Sequence, residues 1–238
     1  LEYALQRVRT FPLFASGSDT IEVILPSMDL VPALNLRYAL GPEGMGLRFG
    51  VSRTRNRPSF RELSPQAFDN PDSGISETGN PNLKNAALTH VDLRWEWFWA
   101  DREMVSLGSF YKYFENPIEP VRVPGATPQL SFQNAKLAHS IGVEGEVRFA
   151  LDRFTRFARG WSVAANGAWI YSRIELDGSA SSQTVNTSAT RPMQGQSPFV
   201  ANARITYENE AWDLVTSLVY NAIGRRLREV GIQGIPDL

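Results

Sequence analysis

A chain of 238 residues with 42% hydrophobic and 21% charged residues matches neither a disordered tail nor a helical membrane protein. No apolar run reaches the roughly 18 to 20 residues of a spanning helix. Lysine plus arginine, 24, nearly balances aspartate plus glutamate, 25, which gives no reason to expect nucleic acid as a partner, and the absence of cysteine excludes disulfide frameworks and thiolate chemistry. Spanning by strands stays open, because alternating lipid-facing and lumen-facing residues leave the average hydropathy unremarkable.

In chain order, residues 1–7 carry no apolar signal core, so either a signal has been removed or the chain begins inside a longer protein. Residues 3–11 form a first candidate strand. At 34–40, Leu34, Leu36, Tyr38 and Leu40 oppose Asn35 and Arg37; after the turn formers Gly41, Pro42, Glu43 and Gly44, Leu47, Phe49 and Val51 oppose Arg48 and Ser52, which predicts a hairpin. The clearest strand is 87–100, with Val91, Leu93, Trp95, Trp97 and Trp99 on one face and His90, Asp92, Arg94 and Glu96 on the other. A helix would mix these sets around its circumference. Residues 104–114 follow, with Phe110 falling on the polar side. At 140–151, Ile141, Val143, Val147, Phe149 and Leu151 oppose Glu144, Glu146 and Arg148. Residues 161–174 sort more loosely. At 198–209, Phe199, Ala201, Ala203, Ile205 and Tyr207 oppose Asn202, Arg204, Thr206 and Glu208; residues 212–222 complete the series, with Val215 on the polar side.

The connections at 41–44, 101–102, 152–160 and 209–210 are short, whereas those at 56–86, 115–135 and 175–197 are long and rich in Pro, Gly, Asn and Ser. In an up-and-down sheet alternate connections share an end, so short turns collect at one rim and long loops at the other, the polarity of outer-membrane barrels. Tryptophans 95, 97, 99, 161 and 212 approach the short-turn end, and tyrosines 111, 113 and 171 the long-loop end, as girdles at two membrane interfaces would. The fold expected is therefore all-β: an antiparallel, up-and-down transmembrane β-barrel segment of about eight or nine strands. A strand edge in hydrocarbon leaves backbone groups unpaired, so neighbouring strands must complete the wall. Asp92, Arg94, Glu96, Glu144, Glu146, Arg148 and Arg204 are expected to face the lumen, and the alternating apolar set to meet outer-membrane lipid.

The loops carry an ordered set of short motifs. Arg57-Pro58, Phe60, Arg61 and Glu62-Leu63 precede Gly79-Asn80-Pro81-Asn82-Leu83, and a strand with Asp92-Leu93 and Glu96 follows. Then come Phe110-Tyr111-Lys112, Asn116-Pro117-Ile118, Gly195-Gln196-Ser197-Pro198, Asn202-Ala203, Tyr220-Asn221 and Gly224. Each piece is short, but as an ordered series over about residues 32–238 it resembles the C-terminal part of the barrel of TonB-dependent outer-membrane receptors.

That resemblance implies a barrel of about 22 strands, of which residues 1–238 form a partial barrel domain. The plug, the remaining strands and the segment gripped by periplasmic TonB are expected outside this chain. It implies active uptake across the outer membrane of a Gram-negative bacterium, without covalent change, of a bulky nutrient such as a ferric siderophore, cobalamin or a glycan. Arg57, Phe60, Arg61 and Glu62 are the loop candidates for substrate contact. Pro58, Leu63, Gly79, Asn80, Pro81, Leu83, Asn116, Pro117, Gly195 and Gln196 are expected to shape the loops, since proline fixes φ and asparagine favours turns. No enzyme activity, cofactor or metal is expected: His90 and His139 lack the spacing of a metal site, and Ser197 lacks a nucleophile-elbow context. A passive porin or adhesion barrel, and a soluble β-sandwich binding domain, are the competing readings.

Overall fold

The structure, a computed structural model, describes residues 1–10, 21–41, 43–70, 75–123, 129–176 and 190–227. It begins with an antiparallel hairpin of β1 (Glu2–Thr10) and β2 (Ile21–Asp29), with Glu2 opposite Asp29. Next come β3 (Ala33–Ala39), β4 (Met45–Asn56), a single helical turn α1 (Phe60–Leu63), and the short strands β5 (Ala67–Asn70) and β6 (Ile75–Thr78). The long strands β7 (Ala86–Ala100) and β8 (Glu103–Glu115) are followed by the short β9 (Ile118–Val123) and β10 (Gln129–Asn134). The remainder is β11 (Leu137–Ala150), β12 (Trp161–Glu175), β13 (Thr190–Arg191), β14 (Phe199–Asn209) and β15 (Leu214–Ile223).

The main sheet runs β3-β4-β7-β8-β11-β12-β14-β15, each neighbour antiparallel, with β13 added at the end of β12. The register aligns the apolar sets laterally. Leu36 lies opposite Phe49, Phe49 opposite Leu93, Leu93 opposite Ser109, Ser109 opposite Val143, Val143 opposite Trp169 and Trp169 opposite Phe199. Because the side-chain period is two, a slip of one residue in any ladder would carry that strand's apolar set to the charged face. The alternation does not extend through Trp99. The β7–β8 ladder shifts between Phe98 and Ala100, and Trp99 instead packs edge-on against Trp97 at 5.4 Å while its Nε1 donates to Glu103 at 2.7 Å.

Two features go beyond what the sequence pattern predicts. Residues 21–29 form a strand although Pro26 interrupts their pattern; Pro26 stands opposite Leu5 on a two-stranded hairpin, where a missing donor is tolerated. The long connections at 56–86 and 115–135 are not irregular throughout: β5, β6, β10 and β9 form a second sheet in that order, with β6 and β10 parallel. Among the described residues no ladder joins β15 to β3, so the sheet has two open edges.

Candidate functional site

On the polar face, the register brings arginines and glutamates from β3, β4, β7 and β11 into one network. The Glu96 side chain is only 5% exposed and accepts from Arg48 Nε at 2.7 Å, with Arg94 at 3.8 Å and Arg37 at 3.9 Å. Arg94 also reaches Glu144 at 3.5 Å and Glu146 at 3.4 Å, and Arg148 Nε donates to Glu146 at 2.8 Å. β8 separates Arg94 from these acids. The gap is bridged because Gly108 faces Glu144 across the ladder, and a Cβ there would meet the Glu144 Cγ at 2.9 Å. Phe110, on the same face, lies over Gly142 and carries the Lys112 ammonium 5.0 Å from its ring centre. Asp92 and Arg204 stand on this face too, both exposed.

This face is hollow toward the short-turn rim. A cavity of about 1060 Å³ there has Arg148, Arg204, Thr206 and Ser217 among its lining residues, together with Asp152, Arg159 and Glu208. The rim itself is tied by Glu103, which accepts from the Ala150 amide at 2.9 Å and from Arg153 Nη2 at 2.8 Å.

At the long-loop rim the second sheet and α1 build an ordered cap. Ser59 and Glu62 close a capping box around α1: the Glu62 amide donates to Ser59 Oγ at 3.3 Å and the Ser59 amide to Glu62 Oε2 at 2.7 Å. Gly79 lies against the last carbonyls of the turn, its amide donating to Ser64 O at 2.9 Å, while the Asn80 amide donates to Glu62 O at 2.6 Å. Only glycine fits, since a Cβ would fall 2.3 Å from Ser64 O. Leu63 and Leu83 are fully buried and pack with Val8 and Val23 of the first hairpin; Pro58 is buried as well. Asn80 Nδ2 donates to Phe132 O at 2.8 Å, and Pro81 sits in the turn that follows.

Asn134 joins the first and second long loops, accepting from the Lys84 amide at 2.8 Å and donating to Asn116 O at 2.8 Å. Asn116 takes a left-handed φ of 52°, and Pro117 after it is buried, its carbonyl accepting from Ala135 N at 2.8 Å. Glu119 and Arg191, side chains 6% and 3% exposed, form an ion pair that joins the second loop to the third. Burial pushes the Glu119 carboxyl above its usual range, with Arg191 and the Gln194 amide pulling the other way. Gly195, at φ 76°, donates to Leu227 O at 2.8 Å, and the Gln196 amide donates to Met193 O at 3.2 Å.

The four loop candidates differ in environment. Phe60 is 64% exposed on α1. Arg61 pairs with Glu77 at 2.9 Å and sits 5.5 Å from the Phe68 ring centre, its side chain half exposed. Arg57 is held between Glu2 at 2.8 Å and Asp29 at 3.7 Å, and Glu62 is engaged in the capping box. The sequence reading passed over Asp29, Asn134, Glu119 and Arg191. Their partners lie in other loops, and no local pattern marks them.

A family model for TonB-dependent receptor-like β-barrels matches residues 9–233. No curated protein matches the chain. Among solved structures, the siderophore receptor PirA of Pseudomonas aeruginosa is 19% identical with a TM-score of 0.61, over 86% of this chain and 36% of its own. The Serratia marcescens hemophore receptor HasR, as a double mutant with its hemophore HasA and heme, is 10% identical with a TM-score of 0.63, over 93% of this chain and 38% of its own. The copper transporter OprC is 17% identical with a TM-score of 0.61, over 90% and 29%. The chain thus spans about a third of the length of the structures it matches.

Proposed function

From the premise that the chain belongs to the TonB-dependent receptor-like β-barrel family, we propose that it forms part of the wall and outer cap of an active-uptake receptor in the outer membrane of a Gram-negative bacterium. The observation that carries this reading is the sorting of one eight-stranded path into an apolar face and a charged face in lateral register, with short turns at one rim and a folded cap at the other. The apolar face meets lipid. The charged face lines the lumen, where a plug domain outside this chain occupies the space, and the open edges of β3 and β15 pair with further strands of a wall of about 22. Periplasmic TonB energises the passage through that plug.

The cargo is bulky and is carried without covalent change. PirA takes a siderophore, HasR a heme-bearing hemophore and OprC copper, and a ferric siderophore or heme-type ligand fits that range; cobalamin and glycans are the other classes to test. Phe60 and Arg61, on the exposed side of α1, offer an aromatic face and a cation to it, while Arg57 and Glu62 act by holding the turn in place. The test is uptake of iron chelates, heme, cobalamin and glycans by cells with the full-length gene, without it, and without TonB. Loss of accumulation in both deletions is expected. Accumulation that persists without TonB would replace active uptake by a passive channel.

A further inference from the structure

The apolar face ends at a defined level. On β12, the outward positions from Trp161 to Tyr171 are Trp161, Val163, Ala165, Gly167, Trp169 and Tyr171, none charged. Ten residues at about 3.3 Å each, on a strand tilted by about 40°, rise about 25 Å, the height of the apolar band in such walls. The next outward residue is Arg173. It is exposed, and among the described residues it has no ion-pair partner; Glu175 beyond it forms no ion pair either.

Directly across the ladder from Arg173 is His139, and across from His139 is Tyr113. Opposed side chains on one sheet face stand about 5 Å apart at Cβ. The His139 ring lies 5.1 Å from Tyr113 and 5.9 Å from Tyr111, and its Nδ1 is 2.6 Å from the Tyr111 hydroxyl. With that hydroxyl donating, Nε2 keeps its proton and is the donor left for a ligand. Arg53, at the same level on β4, is already neutralised by Glu115 at 2.8 Å. Among the described residues, Arg173 and His139 therefore form a pair of donors without an ion-pair partner, at the level where the apolar positions of β12 end, flanked by two tyrosines. A cation facing lipid is stable only where an anion or water meets it.

On the reading that this face meets lipid and the long loops face outward, we propose that Arg173 and His139 bind the phosphate of a lipid headgroup in the outer leaflet, with Tyr111 and Tyr113 packing beside its acyl chains. The guanidinium supplies a forked, charge-assisted contact and the imidazole N–H a second donor.

The experiment uses the purified full-length receptor in detergent, with native mass spectrometry reading retained lipid. Diphosphoryl lipid A is titrated against the same lipid stripped of its phosphates, with inorganic phosphate as competitor. The phosphorylated lipid is expected to bind about a hundredfold more tightly, and R173Q and H139Q each to remove about tenfold of that, the loss of one charge-assisted hydrogen bond. Heat-modifiable migration verifies that each variant is folded, and the comparison of the two lipids on the unaltered receptor decides even if a variant misfolds. Equal retention of both lipids, variants that bind like the parent, or displacement of the lipid by millimolar inorganic phosphate would overturn the site. None of these would touch the membrane reading, which stands on detergent-dependent solubility and heat-modifiable migration of the same preparation.

Discussion

Replacing Gly79 by alanine tests whether the cap at the long-loop rim is a folded unit distinct from the main sheet. The added methyl would stand 2.3 Å from Ser64 O, 2.5 Å from Arg61 O and 2.7 Å from Glu62 O, all backbone atoms at the end of α1. Its φ is not among the positive ones, so steric overlap alone drives the effect. The overlap is relieved by moving α1 away, which breaks the bonds from Gly79 N to Ser64 O and from Asn80 N to Glu62 O. Overpacking costs about 1–3 kcal/mol, and two backbone hydrogen bonds contribute about 1 kcal/mol each. The cap should therefore open more easily by about 3–5 kcal/mol, an acceleration of amide exchange of at least about 150-fold. Hydrogen exchange on the full-length receptor would show it in peptides covering residues 60–64 and 79–83, with β7 and β8 unchanged. Unchanged protection in the cap, or loss spread evenly over the long strands, would show that Gly79 does not hold the cap on α1.

Three further outcomes follow from the ion pairs. Glu96→Gln removes the carboxylate shared by Arg48, Arg94 and Arg37; because these arginines are partly exposed, a loss of about 2 kcal/mol in denaturant unfolding is expected, and R48M/E96L should recover most of it if the two charges act as a pair. Glu119→Gln leaves Arg191 buried without its counter-charge, so limited proteolysis should cut the loops near residues 118–123 and 190–191 sooner, at a local cost of about 3 kcal/mol. Glu22 accepts from Arg7 and, at 3.0 Å, from Arg9, and these bonds hold its carboxyl below the usual range. A depressed carboxyl stabilises above its unfolded value of about 4.3 and loses that contribution as pH falls through the lower folded value. Exchange protection of the first hairpin should therefore begin to decline as pH falls below about 4.3 and level off below the folded value, and Glu22→Gln should flatten the dependence.

The strands β7, β11 and β14 were legible because each repeats a period of two over ten or more residues, and the register then brings the apolar sets of their neighbours level with theirs. The cap was not. Its strands are four to six residues long, and β6 finds β10 in parallel across a separation no local pattern encodes. The charged residues were legible as a face but not as a network. Arg94 meets Glu144 and Glu146 only because the strand between them contributes Gly108 at the crossing point. The motif Gly79-Asn80-Pro81 was recognisable as turn chemistry, whereas its reason, close packing of Gly79 on the α1 carbonyls, exists only in three dimensions.

The open edges decide what these strands can do by themselves. β15 is 10 residues long and pairs with β14 along one side. About half of its amides and carbonyls, roughly ten groups, point the other way, each costing several kcal/mol if it faces hydrocarbon. The sum is tens of kcal/mol, against a total stability of about 5–15 kcal/mol for a folded domain. β3, exposed along its whole length, presents the same problem at the opposite edge. No gain from the apolar face offsets that for an isolated sheet in lipid, so on the proposed membrane reading both edges have to be paired, by strands beyond these eight. Residues 1–238 expressed alone should therefore fail to insert into lipid vesicles as a monomer and show no heat-modifiable band, while the full-length receptor shows one. A monomeric, protease-resistant, heat-modifiable form of residues 1–238 would mean that β3 and β15 pair with each other and close a small barrel.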